Sequence, residues 1–492
     1  MPGQLKFDFR FSTAADKKAA SAADSPMRIL MVGNFSGHRH PDAALKNRKI
    51  TSIDIDNFDE VMFQLSPVLN FQDLQTEVVF HCLDDFHPGH LYKELDVFHR
   101  VTQLRQSLQN PATFAQTSAK LMGTANVPYD AGQSVETTPA EDQNALFERL
   151  LGKAPAQQPH LQSSLDHLFK NIIAPHIVEK IDPRQPELIA EVDRATSALM
   201  RSLLHHPDFQ SLEALWRSAY ELVSRLETGE SLQLYLLDIS QAELAQDLLS
   251  ASENLETSAV YQLLARQSID QPWSVIIGDY TFAAARQDVQ TLSAMGAIAA
   301  HIGTPFLAAA DSSLLGCASL AQPSPPSTWN GNFEFMAVWQ ALREKPYARW
   351  LGLALPRILL RLPYGRKTDP IDSFEFEELT MPDEHEAFLW GSPAFACARL
   401  LAENFQETGW PLSPDRHLNV DDLPAYSYKQ DGETLMQACA EWYLPEATAE
   451  AMLERGVMPL LSYRNRNCAR LLRFQSIAAP LVGLAGICSR ED

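Results

Sequence analysis

The chain has 492 residues, with 40 Lys and Arg against 62 Asp and Glu, for a formal charge of −22. That length accommodates more than one hydrophobic core, and the acidic balance excludes general electrostatic capture by nucleic acid or an anionic membrane. No stretch reaches the roughly 18 apolar residues of a spanning helix, and MPGQLKFDFRFSTAADKK lacks the apolar run of a secretory signal, so a cytoplasmic location without membrane insertion is expected.

Residues 5 to 11, LKFDFRF, alternate apolar and charged side chains with the period of a half-buried strand. Leu5, Phe7, Phe9 and Phe11 share one face, and Lys6, Asp8 and Arg10 the other. The small, polar STAADKKAASAADSP that follows reads as a tether. Two readings fit: an ordinary first strand of its own domain, or an arm that pairs with a sheet edge in a neighbouring subunit.

MRILMVGNFSG, from Met27, predicts a buried strand ending in a glycine-containing turn. A second apolar run, TEVVFHCL at 76 to 83, and a helix over LYKELDVFHRVTQLRQSL continue a small α/β unit to about residue 118. Residues 122 to 143, rich in Ala, Thr, Pro, Gly and acidic groups, read as a linker. The short apolar NALFERLL at 144 to 151 is either a docking peptide or a packed helix.

Helices around LQSSLDHLFKNII and ELIAEVDRATSALMRSLL open a larger unit, in which LLHHPDFQSLEALWRSAYELV supplies an aromatic and aliphatic face. Strands at LQLYLLDI, PWSVIIGDY and PFLAAA alternate with the helical DVQTLSAMGAIAAHIG, which predicts a mixed or parallel sheet with flanking helices.

Four clusters bear on chemistry. VGNFSG, at 32 to 37, lacks the Lys and Ser/Thr pair of a phosphate loop and the spacing of a nucleophile elbow, and reads as a structural turn. HCLDDFHPGH gathers possible metal ligands, but alternation sends His81 and Cys82 to opposite faces, and turn capping by Asp84 or Asp85 with partial packing of Phe86 is the simpler expectation. His205 and His206 precede Pro207 at a predicted helix-to-helix turn. In SFEFEE, Phe374 and Phe376 alternate with Glu375 and Glu377, as in a strand that buries one face and leaves its carboxylates exposed as an assembly contact or solvated edge.

Just upstream, WLGLALPRILLRLPYGRK sets Arg357, Arg361, Arg366 and Lys367 among apolar residues, positioned for bidentate contacts with acidic segments of this or another subunit. The six cysteines, Cys82, Cys317, Cys397, Cys439, Cys468 and Cys488, form neither a CxxC pair nor a compact zinc framework and read as reduced structural thiols. No nucleophile, base and electrophilic site converge, so no enzyme activity, cofactor or metal is expected.

Together these segments resemble the sheath proteins of the type VI secretion system. Residues 27 to 118 are similar to the small sheath subunit through MRILMVGNFSG, IDIDNFDEVMFQLSP and VVFHCLDDFHPGHL. Residues 144 to about 478 are similar to the large subunit through LLHHPDFQSLEALWR, VIIGDYTF, GTPFLAAA, ARWLGLALPRILLRLPYG, SFEFEE, FLWGSPAFA and GVMPLL.

The resemblance implies a multi-domain, contractile-sheath-like α/β fold and a structural subunit whose assembly or contraction propels an inner tube. A noncatalytic cap or assembly regulator is the alternative. It implies as partners other sheath subunits or copies of the chain itself, inner-tube, baseplate or cap proteins, and a AAA+ recycling unfoldase. For that unfoldase the corresponding docking segment includes Leu146, Phe147, Leu150 and Leu151.

The expected organisation is an arm and tether at 1–24, a small-subunit-like region at 25–118, a linker at 119–143, a helical region at 144–185, a large-subunit-like core at 186–478 and a short tail at 479–492. Joining the two subunits by a linker departs from the family, as does the tail, where an interlocking extension is expected. The candidate assembly contacts are Leu5, Phe7, Phe9, Phe11, Arg357, Arg361, Glu375 and Glu377.

Overall fold

All seven residues of Met27–Gly33, strand β1, are buried, which suits MRILMVG to the interior of a sheet covered on both faces. The computed structural model describes residues 9, 11, 25–37, 44–72, 76–110, 113–118, 185–268, 271–321, 325–329, 331, 333–381, 384–410 and 412–486. After β1 come β2 (Thr51–Ile53), α1 (Phe58–Leu65), β3 (Val68–Phe71), β4 (Thr76–Val79), α2 (Pro88–Glu94) and α3 (Asp96–Gln109). The larger region opens with α4 (Gln185–Leu204) and α5 (Pro207–Arg225), followed by β5 (Leu232–Asp238), α6 (Gln241–Ser250), α7 (Ala259–Ser268), β6 (Val275–Phe282), α8 (Arg286–Ile302) and β7 (Phe306–Ala310). It continues with α9 (Phe333–Arg343), β8 (Leu351–Leu355), β9 (Ile358–Leu359), β10 (Trp390–Gly391), α10 (Pro393–Thr408) and β11 (Asn419–Val420). The last elements are β12 (Ser427–Gln430), β13 (Glu433–Met436), α11 (Glu446–Glu454), β14 (Val457–Ser462) and β15 (Ala469–Leu471).

Nine strands form one sheet in the order β11-β15-β14-β8-β7-β6-β1-β5-β2. From β14 to β5 the neighbours run parallel, while β2, β15 and β11 pair antiparallel at the edges. Alternation sorts the side chains by face. Met27, Ile29 and Met31 enter one core with Leu234, Leu236 and Ile277; Leu30 and Val32 enter the other with Leu237 and Ile276. Helices α1, α5 and α10 cover the first face, and α6, α8 and α9 the second. The chain is thus a mixed α/β fold with flanking helices, as its strand and helix alternation predicts.

Strands β5 and β6 follow one another in the larger region yet lie two strand widths apart, and β1 fills the slot between them. Met31 sits opposite Leu236 on one side and Ile277 on the other. The first strand of the region before residue 118 is therefore completed in the sheet by strands of the larger region. A strand apolar on both faces needs partners on both edges and cover on both sides, more than that stretch supplies.

Side chains reinforce the join. The Trp216 indole Nε1 donates to the Phe35 carbonyl at 3.1 Å and its ring meets Phe35 and Phe58 edge-on. Arg105 on α3 makes a forked contact with Asp193 on α4, at 2.6 and 3.2 Å, beside an apolar seam of Val101, Leu108, Leu188 and Val192.

Local structure departs from expectation at three places. The single helix expected at 91 to 108 is two, because Leu95 adopts extended backbone and turns its side chain into the core. In TEVVFHCL only Thr76–Val79 is a strand, paired with β3 in a separate hairpin; Phe80 then leaves the hairpin to stack on Phe86 at 4.2 Å. SFEFEE forms no strand, although Phe376 is buried and Glu375 and Glu377 are exposed as the alternation predicts.

Candidate assembly site

The arginine-rich run leaves β8, crosses β9 and turns beneath α5. Arg361 is buried, and its Nε donates to Glu213 Oε1 at 2.8 Å, while Nη1 and Nη2 donate to Glu378 at 2.7 and 3.0 Å. Its guanidinium also lies over the Tyr364 ring, 4.1 Å from the centroid. Arg217, one turn along α5 from Glu213, adds a 2.8 Å contact to the same carboxylate. Burial by itself would raise the Glu378 carboxyl, but Arg361, His205 and the Tyr364 amide outweigh it and hold the group at about 2. Arg361 is thus engaged by acidic partners of its own chain. Glu378 falls on the buried side of the alternation with Phe374 and Phe376, where the arginine supplies what water would otherwise supply.

Arg357 is half-exposed. Its backbone N–H donates to Glu441 Oε2 at 3.0 Å and its Nη2 to Glu441 Oε1 at 2.6 Å, with Glu386 3.7 Å away. Glu375 and Glu377 stand on the surface; Arg366 pairs with Glu375 through its side chain and donates its backbone N–H to Glu377 at 3.3 Å. Gly365 approaches the Glu377 carboxylate, the far end of an exposed side chain that is free to move aside.

On the opposite face of the sheet, Phe11 stacks on His301 at 4.1 Å and lies 5.8 Å from Tyr261, and Phe9 lies 6.2 Å from Tyr347. Neither residue is in a strand. Leu5 and Phe7, and the segment with Leu146, Phe147, Leu150 and Leu151, lie outside the described residues.

The remaining clusters are built into turns. Asp85 accepts from the backbone N–H groups of His81 and Cys82, closing the turn Leu83–Phe86, and Phe86 is fully rather than partly buried. His206 caps α5 by accepting from the Asp208 N–H at 3.3 Å. VGNFSG turns at Gly37, whose φ of +68° places its Cα against the Val68 carbonyl. Among the described residues, no three His, Cys, Asp or Glu side chains converge on a metal position, and no helix is long and apolar enough to cross a membrane.

The fold and its clusters define a mixed α/β protein whose main sheet is completed by two distant chain regions and whose buried charges pair within the chain. Comparison with known proteins gives the family. Residues 186–478 match the family described as EvpB/VC_A0108, tail sheath N-terminal domain, and residues 8–124 match Type VI secretion system, VipA, VC_A0107 or Hcp2. The Pseudomonas aeruginosa type VI secretion system sheath protein TssC1 is 33% identical over 305 residues, covering 60% of this chain and 61% of that protein. The sheath protein TssB1 of the same organism is 29% identical over 121 residues, covering 23% of this chain and 67% of that protein. The chain thus spans about three fifths of TssC1's length. It belongs to the type VI secretion tail sheath family, with both matching regions on one polypeptide.

Proposed function

We propose that the chain is a noncatalytic structural subunit of a type VI secretion contractile sheath, a single-chain protomer that assembles in the cytoplasm and propels an inner tube when the sheath contracts. The observation that carries this reading is β1 in the slot between β5 and β6, which makes one building block of the two sheath-like regions. Outward contacts fall to Leu5 and Phe7 of the arm, which Phe9 and Phe11 anchor on Tyr347, His301 and Tyr261 of the same chain, to the exposed Glu375 and Glu377, and to the exposed part of Arg357. Leu146, Phe147, Leu150 and Leu151 offer an apolar docking segment to a AAA+ unfoldase, and inner-tube and baseplate proteins are the further partners.

Electron microscopy of the purified protein, alone and with a conventional sheath, tests the reading. Incorporation into long regular tubes is the expected result. Particles that stop the growth of added sheath would instead make the protein a cap or regulator, and failure to join or limit any sheath would overturn both. Deleting residues 1 to 20 isolates the arm. Lost assembly with unchanged thermal unfolding supports intermolecular exchange, loss of both reduces the arm to an intradomain contact, and unchanged assembly removes it from the mechanism.

A further inference from the structure

Leu359, Phe388 and Trp390, with Leu379 and Tyr426 beside them, form a small apolar cluster separate from the two main cores. Three side chains make a weak core by themselves, so this corner depends on what closes it. The closing element is the turn His385–Ala387. The His385 ring stacks on Trp442 at 3.9 Å and 13°, and on Trp390 at 5.2 Å and 26°, while the Trp390 Nε1 donates to the His385 carbonyl at 2.9 Å.

Both ring nitrogens face carboxylates. Nδ1 lies 2.9 Å from Glu386 Oε1, and Nε2 lies 3.3 Å from Glu441 Oε1, at ion-pair distance but without hydrogen-bond alignment. Among the described residues, the other charged group facing this site is Arg357, directed at Glu441 and Glu386. A neutral imidazole has one N–H and one lone pair, so one of its two nitrogens would aim a lone pair at a carboxylate. Only the imidazolium offers a donor to each, and the indole faces also favour the cation.

We propose that His385 is a proton-operated latch: charged, it pins the turn 385–387 and the cluster beneath it to residues 441–442, and on losing its proton it lets this corner open. The latch follows the acidic segment that carries Glu375 and Glu377, on the far side of the Glu378 anchor on Arg361. It stands on this geometry and does not depend on the sheath reading.

The direction of the pH response follows. Burial opposes the charged ring, but Glu386 and Glu441 outweigh it, so the closed form titrates above the ordinary value of 6.5. A raised histidine contributes its full stabilisation below that ordinary value and loses it as pH rises through the closed form's higher midpoint. Across that window a single proton changes local protection by up to about tenfold per pH unit.

Hydrogen exchange of the full chain from pH 6 to 9, corrected for intrinsic rates, reads this in peptides covering 385–391. Protection there should fall with pH while α8 stays protected, and His385→Gln should show low protection with no pH dependence. Flat protection in the parent chain, an equal fall in α8, or a parent-like profile in His385→Gln would overturn the latch. If His385→Gln does not fold, Glu386→Gln decides: a fall displaced to lower pH supports the latch, and an unmoved fall refutes it.

Discussion

Glu213 and Arg361, 148 residues apart in the chain, meet in the interior at 2.8 Å, with the Glu213 side chain entirely shielded from water. Glu378 takes the other side of the guanidinium, so a single cation ties α5 to the loop that follows β9 and to the acidic segment beyond it. Taking one partner from such a buried group costs far more than the group contributes when intact, because the remaining charges keep their desolvation penalty.

Arg361→Met should therefore destabilise the protein by about 3–5 kcal/mol in chemical denaturation, as two buried carboxylates lose their main cation. Adding Glu213→Gln and Glu378→Gln should recover much of that loss. A single variant with parent stability would mean that water reaches this site.

Acid should act on the same network and on the Arg357 partner Glu441. Burial would raise the Glu441 carboxyl, but His385 and Arg357 outweigh it and hold it, like Glu378, at about 2. A depressed carboxyl contributes its stabilisation above its ordinary value near 4.5 and loses it as pH falls toward 2. The two groups together should remove a few kcal/mol over that interval, on the order of 1–3 each. Denaturation midpoints between pH 6 and 2 measure this, and Glu378→Gln should make the acid limb shallower.

Gly37→Ala should destabilise by about 1–3 kcal/mol, because the residue holds a left-handed φ and the new Cβ would fall 2.5 Å from the Val68 carbonyl oxygen. Gly229→Ala, with open space around its Cα, should stay within about 0.5 kcal/mol of the parent. Thermal melts of the pair separate a conformational requirement from a general intolerance of substitution.

A protease site placed in the linker between 119 and 143 should be cleavable without separating the halves. The β1 strand is hydrogen-bonded on both edges and buried on both faces, so the fragments should co-elute at high salt and part only in denaturant. Separation by salt alone would show that surface ion pairs such as Arg105 with Asp193 carry the association.

The apolar runs that became β1, β5, β6 and β7 were legible because a strand covered on both faces is apolar throughout. Their order was not, since Met31 pairing with both Leu236 and Ile277 is a fact of topology that no local window contains. In the site, Glu375 and Glu377 were legible as exposed by alternation with phenylalanines. Glu378 was not, because its burial depends on an arginine 17 residues upstream and a glutamate on another helix. Glu213 and Arg217 stand four apart, a visible ion-pair signal, but the spacing says nothing about whether water reaches them. His385 has Glu386 beside it in sequence, but nothing local shows that Trp390, Glu441 and Trp442 complete its surroundings.

The position of β1 also sets a timetable for synthesis. Met27–Gly33 leaves the ribosome first, but its two neighbours end at Asp238 and Phe282, some 200 to 250 residues later. At about 5–20 residues per second, the strand waits roughly 10–50 s as an unpaired apolar segment before its slot exists. Every nascent chain therefore passes through an interval in which a strand buried on both faces has nowhere to go, and the yield of folded protein should depend on how well the cell shields that segment during translation.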